Sequence, residues 1–272
     1  MLDVSVIIPT FRRARELREA LDSVRRQDNV EWEAIVVDDS PERGAKEVTD
    51  SFNDPRIFYL ANPTPTGGHP SRVRNLGWPR ARGRLLHFLD DDDRVPAGHY
   101  AWAKQMFDNL EIGIVFGRVE PFGFVSEEQI EQERKFFSDS ARRAAICSRF
   151  GRKWGFTAQM LFDRALLVCG AALVRRECMT SIGGFDPDLR LREDVDLFLS
   201  IARKCGAHYD DHISLHYRIG APSLMHAPVL SAADIRDLDY ARGRTQAKFL
   251  AEYGALEFYT LKSFNKLVLK RL

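Results

Sequence analysis

From residue 4 to residue 89 the chain repeats one alternation: a short, almost wholly apolar run, then a stretch with helical spacing. Residues 4–8 are apolar apart from Ser5 and rich in β-branched side chains, and Pro9 stops the run, which predicts a strand buried on both faces. Leu17, Ala20, Leu21 and Val24 then recur at i, i+3, i+4 and i+7, predicting a helix whose outer face carries Arg15, Arg18, Arg25 and Arg26. Residues 34–37 predict a second buried strand, ended by Asp38, Asp39 and Ser40. A polar helix follows, and residues 56–60 predict a third strand. Residues 62–70 hold three prolines and two glycines and predict a loop. A short helix over 71–78 leads to a fourth apolar strand, 85–89, which runs into Asp90, Asp91, Asp92 and Asp93.

The second half is less regular. Residues 112–119 predict a strand and residues 166–174 another. Residues 126–143 predict a charged helix, with Ser126 and Gln129 as a capping box. A helix is expected from Glu193, with Val195, Phe198, Leu199 and Ala202 inward, then strands within 207–215 and two helices from Ala232 to the end. Strands alternating with helices predict right-handed βαβ units and an α/β, Rossmann-like, mostly parallel sheet. Ligands of such sheets bind beyond the carboxyl ends of the strands. Those ends carry Pro9 and Thr10, Asp38 and Asp39, and Asp90 to Asp93, so three strands deliver small polar or acidic groups to one edge.

Length and charge narrow this picture. The 272 residues suit one large α/β domain, or a domain with a helical appendage. Basic and acidic side chains number 40 and 39, so global charge gives no pull toward nucleic acid. Cys147, Cys169, Cys178 and Cys205 have no C-x-x-C spacing, which argues against a zinc site or a redox pair and suits a reducing, cytoplasmic compartment. No signal peptide and no spanning helix are expected. The basic tail, 262–272, either lies on an anionic membrane or packs on the domain.

The candidate chemistry is carboxylate chemistry. A hard cation such as Mn²⁺ or Mg²⁺ takes oxygen ligands, and one or two carboxylates plus substrate phosphates suffice. Asp90 to Asp93 fit that need, or an acidic turn that caps the next helix. Asp38 and Asp39 can cap a helix, or accept from a base N–H or ribose hydroxyl. Glu193, Asp194 and Asp196 open a helix where the dipole favours acids, and any of the three qualifies as a general base.

In order along the chain, several segments resemble glycosyltransferase family 2, whose members have the GT-A fold. Residues 4–11 (VSVIIPTF) resemble its opening strand, and Leu21-Asp22-Ser23-Val24 with Gln27 its first helix. Val36-Val37-Asp38-Asp39-Ser40 resembles the nucleotide-contact strand end, without the usual glycine before the serine. Arg74-Asn75-Leu76-Gly77, Ala81, Gly83 and Phe88-Leu89-Asp90-Asp91-Asp92-Asp93 resemble its long central signature. Gly183-Gly184-Phe185-Asp186 and Glu193-Asp194-Val195-Asp196-Leu197 resemble its acceptor-side motif. The match covers about residues 3–220.

The resemblance implies roles. Asp39, beside Pro9 and Thr10, would accept from the nucleobase, uracil by preference. Arg74 and Asp91 would lie by the nucleotide. Asp92 would ligate the divalent cation, with Asp90 on the ribose or supporting the metal. Asp194 would be the catalytic base, ahead of Glu193 and Asp196. Tyr217-Arg218 with Ser223 resembles a segment that closes over the diphosphate; the histidine common there is absent, and His216 is a weak substitute. The implied activity is inverting transfer from a nucleoside-diphosphate sugar to a glycan, glycolipid or glycoprotein hydroxyl, in the cytoplasm or at the inner face of the membrane. A donor half over 1–120, an acceptor half over 121–225 and a helical extension over 226–272 are expected. A sugar nucleotidyltransferase, a glycosidase and a non-catalytic carbohydrate-binding subunit are the competing classes.

Overall fold

The computed structural model describes residues 2–163, 165–220 and 231–271. Seven strands form one sheet: β1 (Val4–Thr10), β2 (Trp32–Asp38), β3 (Ile57–Ala61), β4 (Leu85–Phe88), β5 (Ile114–Phe122), β6 (Ala172–Arg175) and β7 (Ala207–Arg218), in the spatial order β3-β2-β1-β4-β6-β5-β7. The strands β3, β2, β1 and β4 pair in parallel, as do β5 and β7, while β6 runs antiparallel to both neighbours. The sheet is thus mostly parallel, with the one reversal between its two halves. Every residue of β2 and β4 is buried, including the polar Glu33, Asp38 and His87 set among their apolar side chains.

Helix α1 (Ala14–Arg25) buries Leu17, Ala20, Leu21 and Val24, each completely. Such a face contributes roughly 1.5–3 kcal/mol for each large side chain. α2 (Ala45–Ser51) follows β2, and α3 (Pro70–Gly77) starts with proline in its first turn, where no N–H is needed. A Cβ on Gly77 would come within 2.7 Å of Ile7 and 2.9 Å of Val37. Glycine therefore lets α3 lie close on β1 and β2, and that fixes where Arg74, one turn earlier, is aimed. α4 (His99–Met106), α5 (Glu127–Ser148), α6 (Trp154–Phe162), α7 (Arg176–Ile182), α8 (Glu193–Cys205) and α9 (Ala232–Leu267) complete the described helices.

Several expectations change. β1 continues through Pro9 to Thr10, because parallel pairing to Val37 and Asp38 carries on past the proline. The apolar run 166–174 supplies a strand only from Ala172. Before it, Cys169–Ala171 form a 3-10 turn closed by Ala171 N–H to the Val168 carbonyl at 3.0 Å. The helix expected to end at residue 143 runs on to Ser148, with the Ser126–Gln129 capping box formed. The two tail helices meet at Gly254, whose φ of 82° breaks the helical path. α9 is tied to α8: Asp196 accepts from Thr245 Oγ1 at 2.7 Å and Lys248 Nζ at 2.5 Å. The expected boundary at 225/226 and Ser223 lie outside the described residues.

Candidate active site

The edge predicted from the strand ends is real, and its parts differ sharply. Asp38 is structural: it accepts from the N–H groups of Ser40 (2.9 Å) and Ala45 (3.1 Å) and from the Tyr59 hydroxyl (3.2 Å), so it seats the turn into α2. Asp39 is buried and accepts four hydrogen bonds. Asn62 Nδ2 (2.5 Å) and Thr66 N–H (2.8 Å) reach one oxygen; Thr66 Oγ1 (2.8 Å) and Gly68 N–H (2.7 Å) reach the other. Four donors fill the lone pairs of a carboxylate. Burial works against the charge, yet these donors hold Asp39 below the usual carboxylate range. Direct contact with a base therefore requires one of them to be exchanged. Beside this corner lies a cavity of about 270 Å³ lined by Thr10, Arg12, Arg13, Ser40, Glu42 and Gly44, among others. Arg12 holds a left-handed φ of 59° and donates its N–H to Ser40 Oγ at 2.9 Å, which locks the two strand ends together.

At the end of β4 the balance reverses. Arg13 donates to Asp91 at 3.2 Å and to Asp92 at 2.5 Å. Arg74, 3% exposed, spans two elements: one nitrogen meets Asp90 and the other Glu193, each at 2.7 Å. Asp93 accepts from the Arg218 N–H at 2.8 Å, while its second oxygen is buried without a partner. Asp194, half-buried, accepts from the Val195 N–H at 2.7 Å. Of the six carboxyl groups here, two guanidiniums pair with four: Arg13 with Asp91 and Asp92, Arg74 with Asp90 and Glu193. Burial pushes Asp91 up to about 7, with repulsion from Asp92 and Asp90 adding to it. Burial likewise raises Asp92, Asp93, Glu193 and Asp194.

The segment expected to serve the acceptor is held by motif residues whose spacing now has a cause. Asn75 donates to the Phe185 carbonyl (2.8 Å) and accepts from the Phe185 N–H (3.0 Å). A Cβ on Gly184 would come within 2.8 Å of Asn75 and 2.9 Å of Trp78, so only glycine admits this approach. That clamp brings the segment before α8 under α3. Arg192 enters α8 with φ 59°, so Glu193 and Asp194 follow a strained residue. Asp196, the third acid considered as a base, is buried on Thr245 and Lys248, away from this group.

Arg218 sits against the aspartate turn: Nε donates to the Asp92 carbonyl at 2.7 Å and a terminal nitrogen to Glu19 at 2.5 Å, so it braces that turn. His216 bridges Arg94 across an antiparallel backbone pair. The sequence pattern does not point to Arg13 or Glu19 as parts of the site, and it predicts 62–70 as a loop without its donors to Asp39. The paired arginines after β1 were the available signal for Arg13; backbone N–H donors in a loop give none.

A hard cation fits this donor set. Among the described residues no three His, Cys, Asp or Glu side chains converge as a complete cage. A cation that keeps water and phosphate oxygens needs fewer ligands. Asp92 and Asp90 are the candidates, in a cluster where carboxyls exceed their cationic partners and one oxygen is orphaned.

The fold has solved counterparts. Staphylococcus aureus TarS, residues 1–349, in complex with UDP-GlcNAc, matches with a TM-score of 0.70 at 16% identity over 96% of this chain and 71% of that one. The mannosyltransferase PcManGT from Pyrobaculum calidifontis, in complex with GDP-Man and Mn²⁺, matches with a TM-score of 0.56 at 16% identity, covering 98% and 80%. In sequence, the GalNAc(5)-diNAcBac-PP-undecaprenol beta-1,3-glucosyltransferase of Campylobacter jejuni is 36% identical over 154 residues, 55% of this chain. The chain spans about half of that relative's length, 49%. The putative teichuronic acid biosynthesis glycosyltransferase TuaG of Bacillus subtilis is 26% identical over 204 residues, 74% of this chain and 72% of that one. The Glycosyl transferase family 2 model matches residues 5–162, more than half the chain and the whole span from β1 to α6, and the chain belongs to that family.

Proposed function

We propose that this chain transfers a glycosyl group from a nucleoside-diphosphate sugar to an acceptor hydroxyl, with inversion and with a divalent cation. The observation that carries this reading is Arg74: one buried guanidinium holds Asp90 of the donor edge and Glu193 beside Asp194, each at 2.7 Å. Donor and acceptor chemistry are thereby fixed at one spacing, as in-line displacement demands. Thr10 and Ser40 at the strand ends line the cavity for base and ribose, with Pro9 and the loop held by Asp39 beside it and uridine as the preferred base. A divalent cation at Asp92, supported by Asp90, supplies neutralisation of the departing diphosphate. Asp91, beside Thr10 and Arg13, sets the floor of that turn, and Arg218 holds its backbone in place. Asp194 takes the acceptor proton; its raised proton affinity suits a base that must hold that proton as the bond forms. Glu193 takes the direct hydrogen bond from Arg74, whose charge still acts on Asp194 through space.

The acceptor is a glycan or glycolipid. The lipid-linked glycan in the Campylobacter relative's name supports that choice, and with it a location at the inner face of a membrane. A thermal-shift panel of UDP, GDP and dTDP with and without Mn²⁺ tests the donor assignment. A ligand at about a hundred times its Kd stabilises by about 2.7 kcal/mol. UDP with Mn²⁺ is expected to give the largest shift, and no shift with any nucleotide overturns the reading. Asp194→Asn is expected to lower transfer by about 10²–10⁴-fold while UDP affinity is kept; retained turnover moves the base to Glu193.

A further inference from the structure

Beyond Gly254, α9 changes character. Residues 255–271 carry Lys262, Lys266, Lys270 and Arg271 against a single acid, Glu257. That acid is already taken: Arg203 on α8 donates to its two oxygens at 2.6 and 2.9 Å. None of the four cations has a carboxylate partner among the described residues. The inner face is settled, with Phe258, Leu261, Asn265 and Leu269 buried and Asn265 Nδ2 donating to the Ala158 carbonyl of α6 at 3.3 Å. The outer face sets three large apolar side chains among small hydroxyl residues and lysines: Leu256 is 86% exposed, Tyr259 59% and Leu267 54%, with Thr260 and Ser263 exposed between them. At 3.6 residues per turn these three lie within roughly 80° of one another, with Lys262 and Lys266 along one flank; Lys270 and Arg271 follow in the 3-10 turn Leu269–Arg271. Trp154, at the start of α6, stands 44% exposed beside this segment, its ring edge-on to Phe264 at 6.5 Å.

We propose that residues 255–271, with Trp154, form a docking face for an anionic phospholipid bilayer. Apolar side chains flanked by cations match the boundary between acyl chains and negative headgroups, and Trp and Tyr favour that depth. No helix among the described residues is long and apolar enough to cross a membrane, so the contact is a surface one. α9 runs along α8 in the same direction, from Lys248–Asp196 to Glu257–Arg203. The face therefore lies toward the end of α8 opposite Glu193 and Asp194, and binding leaves the candidate site open. The inference stands independently of the reaction proposed above.

Vesicle co-sedimentation of the full chain tests it. Vesicles with roughly 30% phosphatidylglycerol are expected to bind the protein, at about fivefold in partition for each basic residue engaged. Pure phosphatidylcholine vesicles are expected to bind far less, and raising NaCl from about 0.1 to 0.5 M to release the protein. Lys262→Ala/Lys266→Ala is expected to cut partition by about thirtyfold, and Leu256→Ser/Tyr259→Ser to weaken binding at equal charge. All four positions are exposed, and an unchanged thermal midpoint verifies that the variants fold. Equal binding to neutral vesicles, no binding to anionic ones, or the same partition in both variants overturns the proposal. Self-association abolished by Leu256→Ser/Tyr259→Ser, without vesicle binding, overturns it in favour of a second copy on this face.

Discussion

At the β2 end, one carboxylate, Asp39, accepts four hydrogen bonds from Asn62, Thr66 and Gly68 and is held charged. At the β4 end, two guanidiniums pair with Asp90, Asp91, Asp92 and Glu193, Asp93 and Asp194 stand in the same crowded group, and burial raises most of these acids toward the protonated form. Both corners sit on the same sheet edge and both are largely shielded from water. The difference lies in what surrounds them. Neutral donors can only stabilise the charge already there, so the Asp39 corner is a finished part that shapes a loop. Crowded acids with too few cations attract a proton or a cation, so the β4 corner is where chemistry that moves charge belongs.

Removing Arg74 breaks the second corner most severely. Arg74→Met keeps volume but leaves Glu193 buried without its cation and frees Asp90. One-sided loss of a buried pair costs about 3–5 kcal/mol, to be read by urea unfolding at neutral pH. Lowering the pH should recover part of it, because Glu193 can then be neutral. A variant as stable as the parent, at every pH, would mean that Arg74 does not hold the corner. Asp92→Ala separates charge from fold. It removes one acid from a crowded group, so the free protein should lose no stability, whereas cation-dependent UDP binding should weaken on the order of a hundredfold, about 2.7 kcal/mol. Calorimetry with and without Mn²⁺ measures this, and unchanged affinity would move the cation elsewhere. Asp39→Asn attacks the other corner. An amide nitrogen there faces donors, and leaving one buried partner unsatisfied costs about 1–3 kcal/mol. Donor KM should rise, with kcat at saturating donor nearly unchanged; a fall in kcat alone would place Asp39 in the chemistry.

The two corners were unequally legible in the sequence. β1 to β4 and α1 follow from apolar runs and a 3.6-residue period, and the strand ends point to the edge without any family knowledge. Asp39's role was half-visible: its neighbours Thr66 and Gly68 act through backbone N–H groups, which no residue pattern reveals. Arg13 and Asp92 lie far apart in sequence and meet because β1 pairs directly with β4. α6 escaped notice since all but its first and last residues are buried, so it has no polar face to mark a period. The run 166–174 read as one strand because apolar residues packed in a turn and in a sheet look alike. Among Glu193, Asp194 and Asp196, helical spacing could not choose; it took α9, contributing Thr245 and Lys248, to remove Asp196 from the group.

The β4 side is short of positive charge only if no hidden cation relieves it, and His87 is the group to check. It lies on β4, fully buried, three residues before Asp90. Its Nε2 faces the Gly170 carbonyl at 2.8 Å and its Nδ1 the Tyr100 hydroxyl at 2.9 Å. A carbonyl only accepts, so Nε2 carries the hydrogen and Nδ1 accepts from Tyr100, which satisfies a neutral ring. Burial lowers His87 to about 4, although the Gly170 carbonyl and Asp90 favour the cation. The folded value lies below the unfolded one, so the stability from neutral His87 is present above about 6.5 and is lost as pH falls toward 4. Between pH 7 and pH 6 this single group should cost about 0.7 kcal/mol. Its imidazole NMR signals should stay in the neutral position throughout that interval. A titration of His87 near 6.5 would put a cation against Asp90, and the shortage of positive charge at the β4 end would shrink accordingly.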